Sequence, residues 1–266
     1  MIRGRSGFSI LDLLIGFLGG FLGSLVGLGG GVVMIPLMVS VKKLTQHSAH
    51  GTSLVVVVFT GLVGAITYFY YHAVDWKISI VLAISAILTA RLGALYAHSL
   101  PERKLKRAFG AFLIFVSILL LVKPYFPKQV HAMDIWVRGG VFLLTGAFTG
   151  FVSGMMGVGG GTVMIPPMVL LGGMGQHLAQ GTSLLAMVPV GISGALTHHK
   201  LGNVKTDMVA GLIVGAVIGG YLGGTAANLL PEIYLRYVFA TVLILIGLRY
   251  MGKQKTAIQN KDLTPS

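Results

Sequence analysis

The residues best placed to do chemistry occur in two short motifs, and each motif is present twice. GLGGGVVMIP at Gly27–Pro36 returns as GVGGGTVMIP at Gly157–Pro166, and QHSAHGTSL at Gln46–Leu54 returns as QHLAQGTSL at Gln176–Leu184. The first motif carries a glycine triplet in each copy: Gly29, Gly30 and Gly31, then Gly159, Gly160 and Gly161. A glycine amide can approach a ligand closely because no side chain intervenes. A helix that begins just after such a triplet turns its free N–H groups and positive dipole end toward the ligand, which is the chemistry of anion binding. The second motif adds Gln46, His47, Thr52 and Ser53, and in the second copy Gln176, His177, Thr182 and Ser183. Their hydroxyls stand at the expected start of a long helix, where they either cap free N–H groups or coordinate a ligand oxygen. The copies differ where His50 faces Gln180.

Other polar residues are few. Arg91 lies inside an apolar stretch, where a buried charge costs at least ~2.5 kcal/mol; its counterpart in the second copy is Tyr221. It either holds an anion or snorkels to a nearby membrane boundary. Asp12 is expected to cap the first helix or to pair with Arg3 or Arg5, rather than to carry protons. His198, His199 and Lys200 suit a helix C-terminus, with a proton relay as the alternative. Of the seven acidic residues, Asp75, Asp134, Asp207, Glu102 and Glu232 fall at expected membrane boundaries. Hydrolytic chemistry inside a membrane needs carboxylates or metal-binding histidines there, so no enzyme is expected. The histidines are scattered without carboxylates at ligand spacing, which argues against a metal site. Cysteine is absent, which removes disulfides, zinc thiolates and iron–sulfur clusters. The glycine motif lacks the Lys-Ser/Thr of a phosphate loop, and no cofactor is expected.

The elements that position these residues belong in a bilayer. The chain is 55% hydrophobic and 10% charged, with mean hydropathy +0.85; soluble domains carry roughly 25% charged residues. The formal net charge of +13 is spread in clusters such as Arg103, Lys104, Lys106, Arg107 and Lys253, Lys255, Lys261. Such clusters mark cytoplasmic loops rather than a nucleic-acid surface. Spanning a hydrocarbon core of ~30 Å takes about 20 apolar residues. The candidate segments are Ile10–Leu28, Val32–Val41, Gly51–Tyr71, Ile78–His98 and Leu105–Val122. Their counterparts are Val137–Val158, Val163–Leu171, Gly181–His198, Met208–Leu229 and Leu235–Tyr250. Arg3 and Arg5 precede a run read as a retained first segment rather than a removed signal peptide.

The second segment of each copy is too short to span alone and contains Pro36, or Pro166 and Pro167. It is expected to be a half-helix, a broken helix or a re-entrant hairpin. If it re-enters, the two halves are parallel; if it completes a crossing, each half has five segments and the halves are inverted. The inverted arrangement keeps Lys42, Lys43, Arg103–Arg107, Lys200, Lys205 and both termini on the cytoplasmic side, as the positive-inside rule asks. The expectation is an all-α polytopic membrane protein of two inverted repeats, 10–122 and 137–251. A linker at 123–136 joins them, and a cytoplasmic tail covers 252–266. The ligand site lies where the halves meet. Small-residue faces such as Gly215, Gly219 and Gly223 are compatible with a homodimer and equally with packing inside one subunit.

With both motifs paired, residues 10–250 resemble the sulfite exporter TauE/SafE family. That resemblance implies export of sulfite, of sulfonates such as sulfoacetate, or of related sulfur anions across the bacterial cytoplasmic membrane. Transport would proceed by alternating access, with an anion channel of the same architecture as the alternative. The motif positions it carries over are Gly29, Gly30, Gly31, Gln46, His47, Thr52 and Ser53, with Gly159, Gly160, Gly161, Gln176, His177, Thr182 and Ser183 in the second copy. Arg91 is a candidate on the residue argument alone.

Overall fold

The computed structural model describes residues 9–97, 102–123, 135–156 and 160–252. Among them every regular element is a helix. The first five are α1 (Ile10–Val26), α2 (Gly31–Val41), α3 (Gln46–Tyr70), α4 (Trp76–Ala97) and α5 (Glu102–Val122). Their counterparts, 130 positions on, are α6 (Ile135–Met156), α7 (Gly161–Leu170), α8 (Gln176–Lys200), α9 (Thr206–Leu229) and α10 (Glu232–Met251). Four of these, α3, α8, α9 and α10, are long and apolar enough to cross a membrane. Residues 124–134 of the linker expected at 123–136, and 253–266 of the tail expected at 252–266, lie outside the described residues, as do Arg3 and Arg5.

Both short segments are continuous helices, of 11 and 10 residues. At 1.5 Å per residue each covers about half of a bilayer core. Pro36, Pro166 and Pro167 do not break them, and α2 follows a glycine turn with positive φ at Gly27, Gly29 and Gly30. Each proline removes one N–H from the ladder, which suits a helix that is not extended further.

The long helix after each short one begins earlier than expected. α3 starts at Gln46, not Gly51, because Thr45 Oγ1 accepts the Ser48 N–H at 3.2 Å and serves as the N-cap. α8 starts at Gln176 behind Gly175, which has no side chain to cap with; there Glu232 Oε1 accepts the Gln176 N–H at 3.0 Å. Thr52, Ser53, Thr182 and Ser183 therefore sit in the second turn of their helices, not at the start.

Packing repeats at the same offset. α3 and α8 run antiparallel: Gly51 packs on His198, Leu54 on Gly194, Gly61 on Leu184 and Gly181 on Tyr68. α5 and α10 are also antiparallel, with Gly110 against Gly247 and the Ser117 hydroxyl donating to the Ala240 carbonyl at 2.8 Å. α1 and α9 run parallel and so close that a Cβ on Gly16 or Gly20 would collide with the Leu212 or Ala216 backbone. The counterpart contact joins Gly146 and Gly150 of α6 to Leu82 and Ala86 of α4. From the other side, a Cβ on Gly215, Gly219 or Gly223 would strike the carbonyls of Leu13, Phe17 and Phe21. Those three glycines are used for packing inside one subunit, so they offer no free face for a dimer.

The two short helices sit in different surroundings. Eight of the ten residues of α7 are buried, with Met164, Ile165 and Met168 in a cluster with Leu82, Leu113, Phe239 and Leu243. α2 buries Gly31, Met34 and Met38 against Ile15, Val56 and Leu212 and leaves its other flank half-buried. Asp12, expected to cap α1 or to pair with Arg3 or Arg5, pairs with Lys42 at 2.7 Å and ties the start of α1 to the end of α2; α1 has no side-chain cap. The same seat in the second copy holds Phe142 against Gly172, where a Cβ would come within 2.6 Å of the ring. An ion pair in one half is replaced by an aromatic ring on a glycine in the other.

Candidate anion-binding site

The first glycine turn is built by backbone geometry that glycine alone adopts readily. Gly27, Gly29 and Gly30 have φ of 75°, 71° and 86°, the left-handed region where a side chain is strained. The N–H groups of Leu28 and Gly29 fold back onto the Gly23 carbonyl at 2.8 and 3.2 Å. The chain then re-enters helix at Gly31 behind Gly30, with no side-chain cap. α7 likewise begins behind Gly160 with no side-chain cap. Both short helices therefore present first-turn N–H groups without the usual Ser, Thr, Asp or Asn acceptor. Residues 26–31 and 160–161 are all buried.

The start of α7 packs against the turn that leads into α2. A Cβ on Gly161 would come within 2.5 Å of the Gly27 carbonyl and 2.8 Å of Leu28 Cα. α3 and α8 wall this place. Ser53 lies beside Gly31, its hydroxyl donating to the His50 carbonyl at 2.8 Å, and the Ser183 hydroxyl donates to the Gly27 carbonyl at 3.4 Å. Gln180 packs directly on Gly27. Its Oε1 accepts from the Tyr68 hydroxyl at 2.7 Å, while its Nε2 is buried without a protein partner. The hydroxyls of Ser24, in the last turn of α1, and Thr162, in the first turn of α7, are also buried without a partner. A buried unpaired donor costs ~1–3 kcal/mol, and any ligand that accepts hydrogen bonds would relieve it.

The remaining candidates fall elsewhere. Thr52 accepts the Lys205 N–H at 3.0 Å, just ahead of α9, and Thr182 accepts the Asp75 N–H at 3.0 Å, just ahead of α4. These threonines cap helices of the opposite half. Gln46 and His47 are exposed at the start of α3. His177 Nε2 lies 3.1 Å from the Ala227 and Leu230 carbonyls and ties α8 to the end of α9. Gln176 is fully buried, with both amide atoms lacking a partner, beside Glu232. Glu232 also pairs with Arg236 at 2.7 Å. Next to that pair, burial and the Arg236 charge lower the pKa of Lys123, whose ammonium donates to the Val169 carbonyl. Arg91 is exposed on α4. Gly159 lies outside the described residues. A cavity of about 480 Å³ opens at the same end, among His72, His177, Asn228 and Glu232.

Sequence reasoning missed Tyr68, Ser24 and Thr162, and registered Gln180 only as a departure from the repeat. The signal was present: Tyr68 and Gln180 are replaced together, by His198 and His50, at the matching positions of the other copy.

Apolar helices enclosing a buried, polar, glycine-built turn define a multi-pass membrane protein. The family profile described as sulfite exporter TauE/SafE matches residues 12–250, and the chain belongs to that family. It is similar to the probable membrane transporter protein YunE of Bacillus subtilis, 28% identical over 261 residues, covering 90% of this chain and 95% of that protein. It is also similar to a probable membrane transporter protein of Haemophilus influenzae, 26% identical over 267 residues, covering 92% and 99%. A third relative, a probable membrane transporter protein of Methanocaldococcus jannaschii, is 33% identical over 162 residues, 59% of this chain and 60% of its own. No solved structure matches.

Proposed function

We propose that this transporter exports a small sulfur oxyanion, sulfite or an organosulfonate such as sulfoacetate, across the bacterial cytoplasmic membrane by alternating access. The observation that carries the proposal is the packing of Gly161, at the uncapped start of α7, on Gly27 and Leu28 of the turn that leads into the uncapped start of α2, with the unpartnered Gln180 amide on Gly27 and the unpartnered Thr162 hydroxyl in the first turn of α7. The unpartnered Gln180 amide is a donor, and the helix dipoles add positive potential.

An inverted duplication is part of the proposal. Its support is that α3 and α5 run antiparallel to their own counterparts, α8 and α10. A rotation that reverses helix direction has its axis across the helices, which in a bilayer means in the membrane plane. Loop charge then favours cytoplasmic termini. Alternating access draws support from the unequal surroundings of α2 and α7: like sequences with unlike burial suit a molecule held in one of two exchangeable states. We assign Gly30, Gly31, Gly160, Gly161, Ser53 and Ser183 to the substrate site, and Thr52 and Thr182 to its frame. Arg91, exposed on α4, is assigned to the membrane boundary.

Uptake of labelled sulfite into inverted vesicles tests the substrate. Saturable uptake above that of empty vesicles is expected, and equal uptake removes sulfite. Resolvable unitary currents in a planar bilayer would instead favour an anion channel of the same architecture.

A further inference from the structure

The α3–α8 pair is seated alike at its two ends but closed by different chemistry. At one end Gly181 packs against Tyr68 and the Ala73 carbonyl; at the other, Gly51 packs against His198 and the Asn203 carbonyl, the same positions shifted by one repeat. On the first seat the Tyr68 hydroxyl donates to Gln180 at 2.7 Å. On the second, the matching residues are His198 and His50, whose rings meet edge to face with centroids 5.1 Å apart. Since the backbone seat is the same, the difference between the ends lies in these two side-chain pairs. A phenol–amide contact does not titrate near neutrality, whereas imidazole is the side chain that does.

We propose that His50 and His198 form a proton-binding latch: neutral, they hold α3 to α8 at their end, and protonation of both drives that end apart while Tyr68–Gln180 keeps the other closed. Both rings are half-buried. The Asn203 amide lies 3.4 Å from His198 Nδ1, a contact in which Asn203 donates only to an unprotonated nitrogen. The other ionisable groups at this end of the packed elements are His47 on α3, and His199 and Lys200 on α8. Lys205 and Asp207 stand at the start of α9, the Asp12–Lys42 pair and Lys43 at α1–α2, Arg91 on α4 and Arg249 on α10. Cations predominate, and the one buried carboxylate among them, Asp12, is already paired with Lys42. Two imidazolium rings in contact would therefore repel with little compensation. The latch rests on the alternating-access reading only for its effect on flux; the opening itself is measured separately.

The absence of cysteine allows single-cysteine reporters without background. Leu54→Cys sits one turn inside the histidine seat, packed on Gly194; Leu184→Cys is its twin, packed on Gly64 inside the tyrosine seat. Each is alkylated in full-length protein at steps from about pH 8 down to about pH 4, a range wide enough to protonate imidazoles even where burial disfavours their charged form. Rates are normalised to the same reporter in His50→Gln/His198→Tyr, which installs the pair the fold already accommodates at the other end. The expected result is a normalised rate at Leu54→Cys that rises about fivefold or more on acidification, with Leu184→Cys unchanged. His198→Phe alone should abolish the rise. A pH-independent ratio, or an equal rise at both reporters, overturns the latch. Sulfite flux measured alongside separates the two ideas: flux with pH-independent labelling removes the latch alone, and acid-dependent labelling without flux removes the substrate alone.

Discussion

The hydroxyl of Tyr68 donates to the side-chain oxygen of Gln180 at 2.7 Å, across the antiparallel contact between α3 and α8, and Gln180 in turn packs on Gly27 of the glycine turn. One hydrogen bond thus joins the two halves, closes one end of their seam and positions the amide that faces the proposed site.

Tyr68→Phe should leave the Gln180 amide buried with neither atom paired, at a cost of about 1–3 kcal/mol. Adding Gln180→Leu to it should recover part of the loss, because both partners are then apolar. Thermal unfolding of the purified single and double variants in detergent reads the difference.

The two N-cap glycines should respond unequally to alanine. Gly30 has φ of 86°, and a Cβ there would collide with the Gly19 carbonyl; Gly160 has φ of −78°, and its nearest neighbour would be a Met164 methyl at 3.3 Å. Gly30→Ala is expected to cost upward of about 2 kcal/mol, and Gly160→Ala less than about 1 kcal/mol. Unfolding midpoints of the two variants, measured side by side, test this.

The threonine and serine of each motif should separate. Thr182→Val removes the acceptor of the Asp75 N–H and should lower stability by about 0.5–2 kcal/mol without changing the KM for sulfite. Ser183→Ala, beside the glycine turn, should raise that KM about three- to tenfold at nearly unchanged stability. Flux kinetics in proteoliposomes, paired with unfolding curves, distinguish the two roles.

Lys42→Ala strands the carboxylate of Asp12, which is 3% exposed. The expected loss is about 1–3 kcal/mol, below that of a fully buried pair because the Lys42 side chain keeps 21% of its surface in contact with the surroundings. The double change Asp12→Phe/Lys42→Gly, which copies Phe142 and Gly172, should be more stable than Lys42→Ala alone. Thermal unfolding again decides.

Much of the architecture is legible in the chain because long apolar runs and Gly-Pro punctuation are local signals. The short helices after Gly30 and Gly160, the end of α9 at Leu229 and the repeat offset all follow from them. The start of α3 is less legible: a capping Thr45 ahead of the polar Gln46–His50 turn extends the helix beyond its apolar part. The partner of Asp12 is invisible locally because Lys42 lies thirty residues away and meets it only when α2 folds back along α1. The glycine turn, Ser53 and Ser183 were legible as a candidate site. The structural role of Thr52 and Thr182 was not, since each caps a helix of the other half. The pairings of Tyr68 with Gln180 and of His198 with His50 require knowing that α3 and α8 run antiparallel.

The most direct test of the central claim is a structure determined with selenite, a heavier analogue of sulfite, using anomalous scattering at the selenium edge. The selenite is set at a concentration shown to inhibit sulfite flux. The account predicts an anomalous peak between the starts of α2 and α7, within hydrogen-bonding distance of the Gly31 and Gly161 amides and the Gln180 side chain. Inhibition of flux with that position empty, and the peak elsewhere, would contradict it.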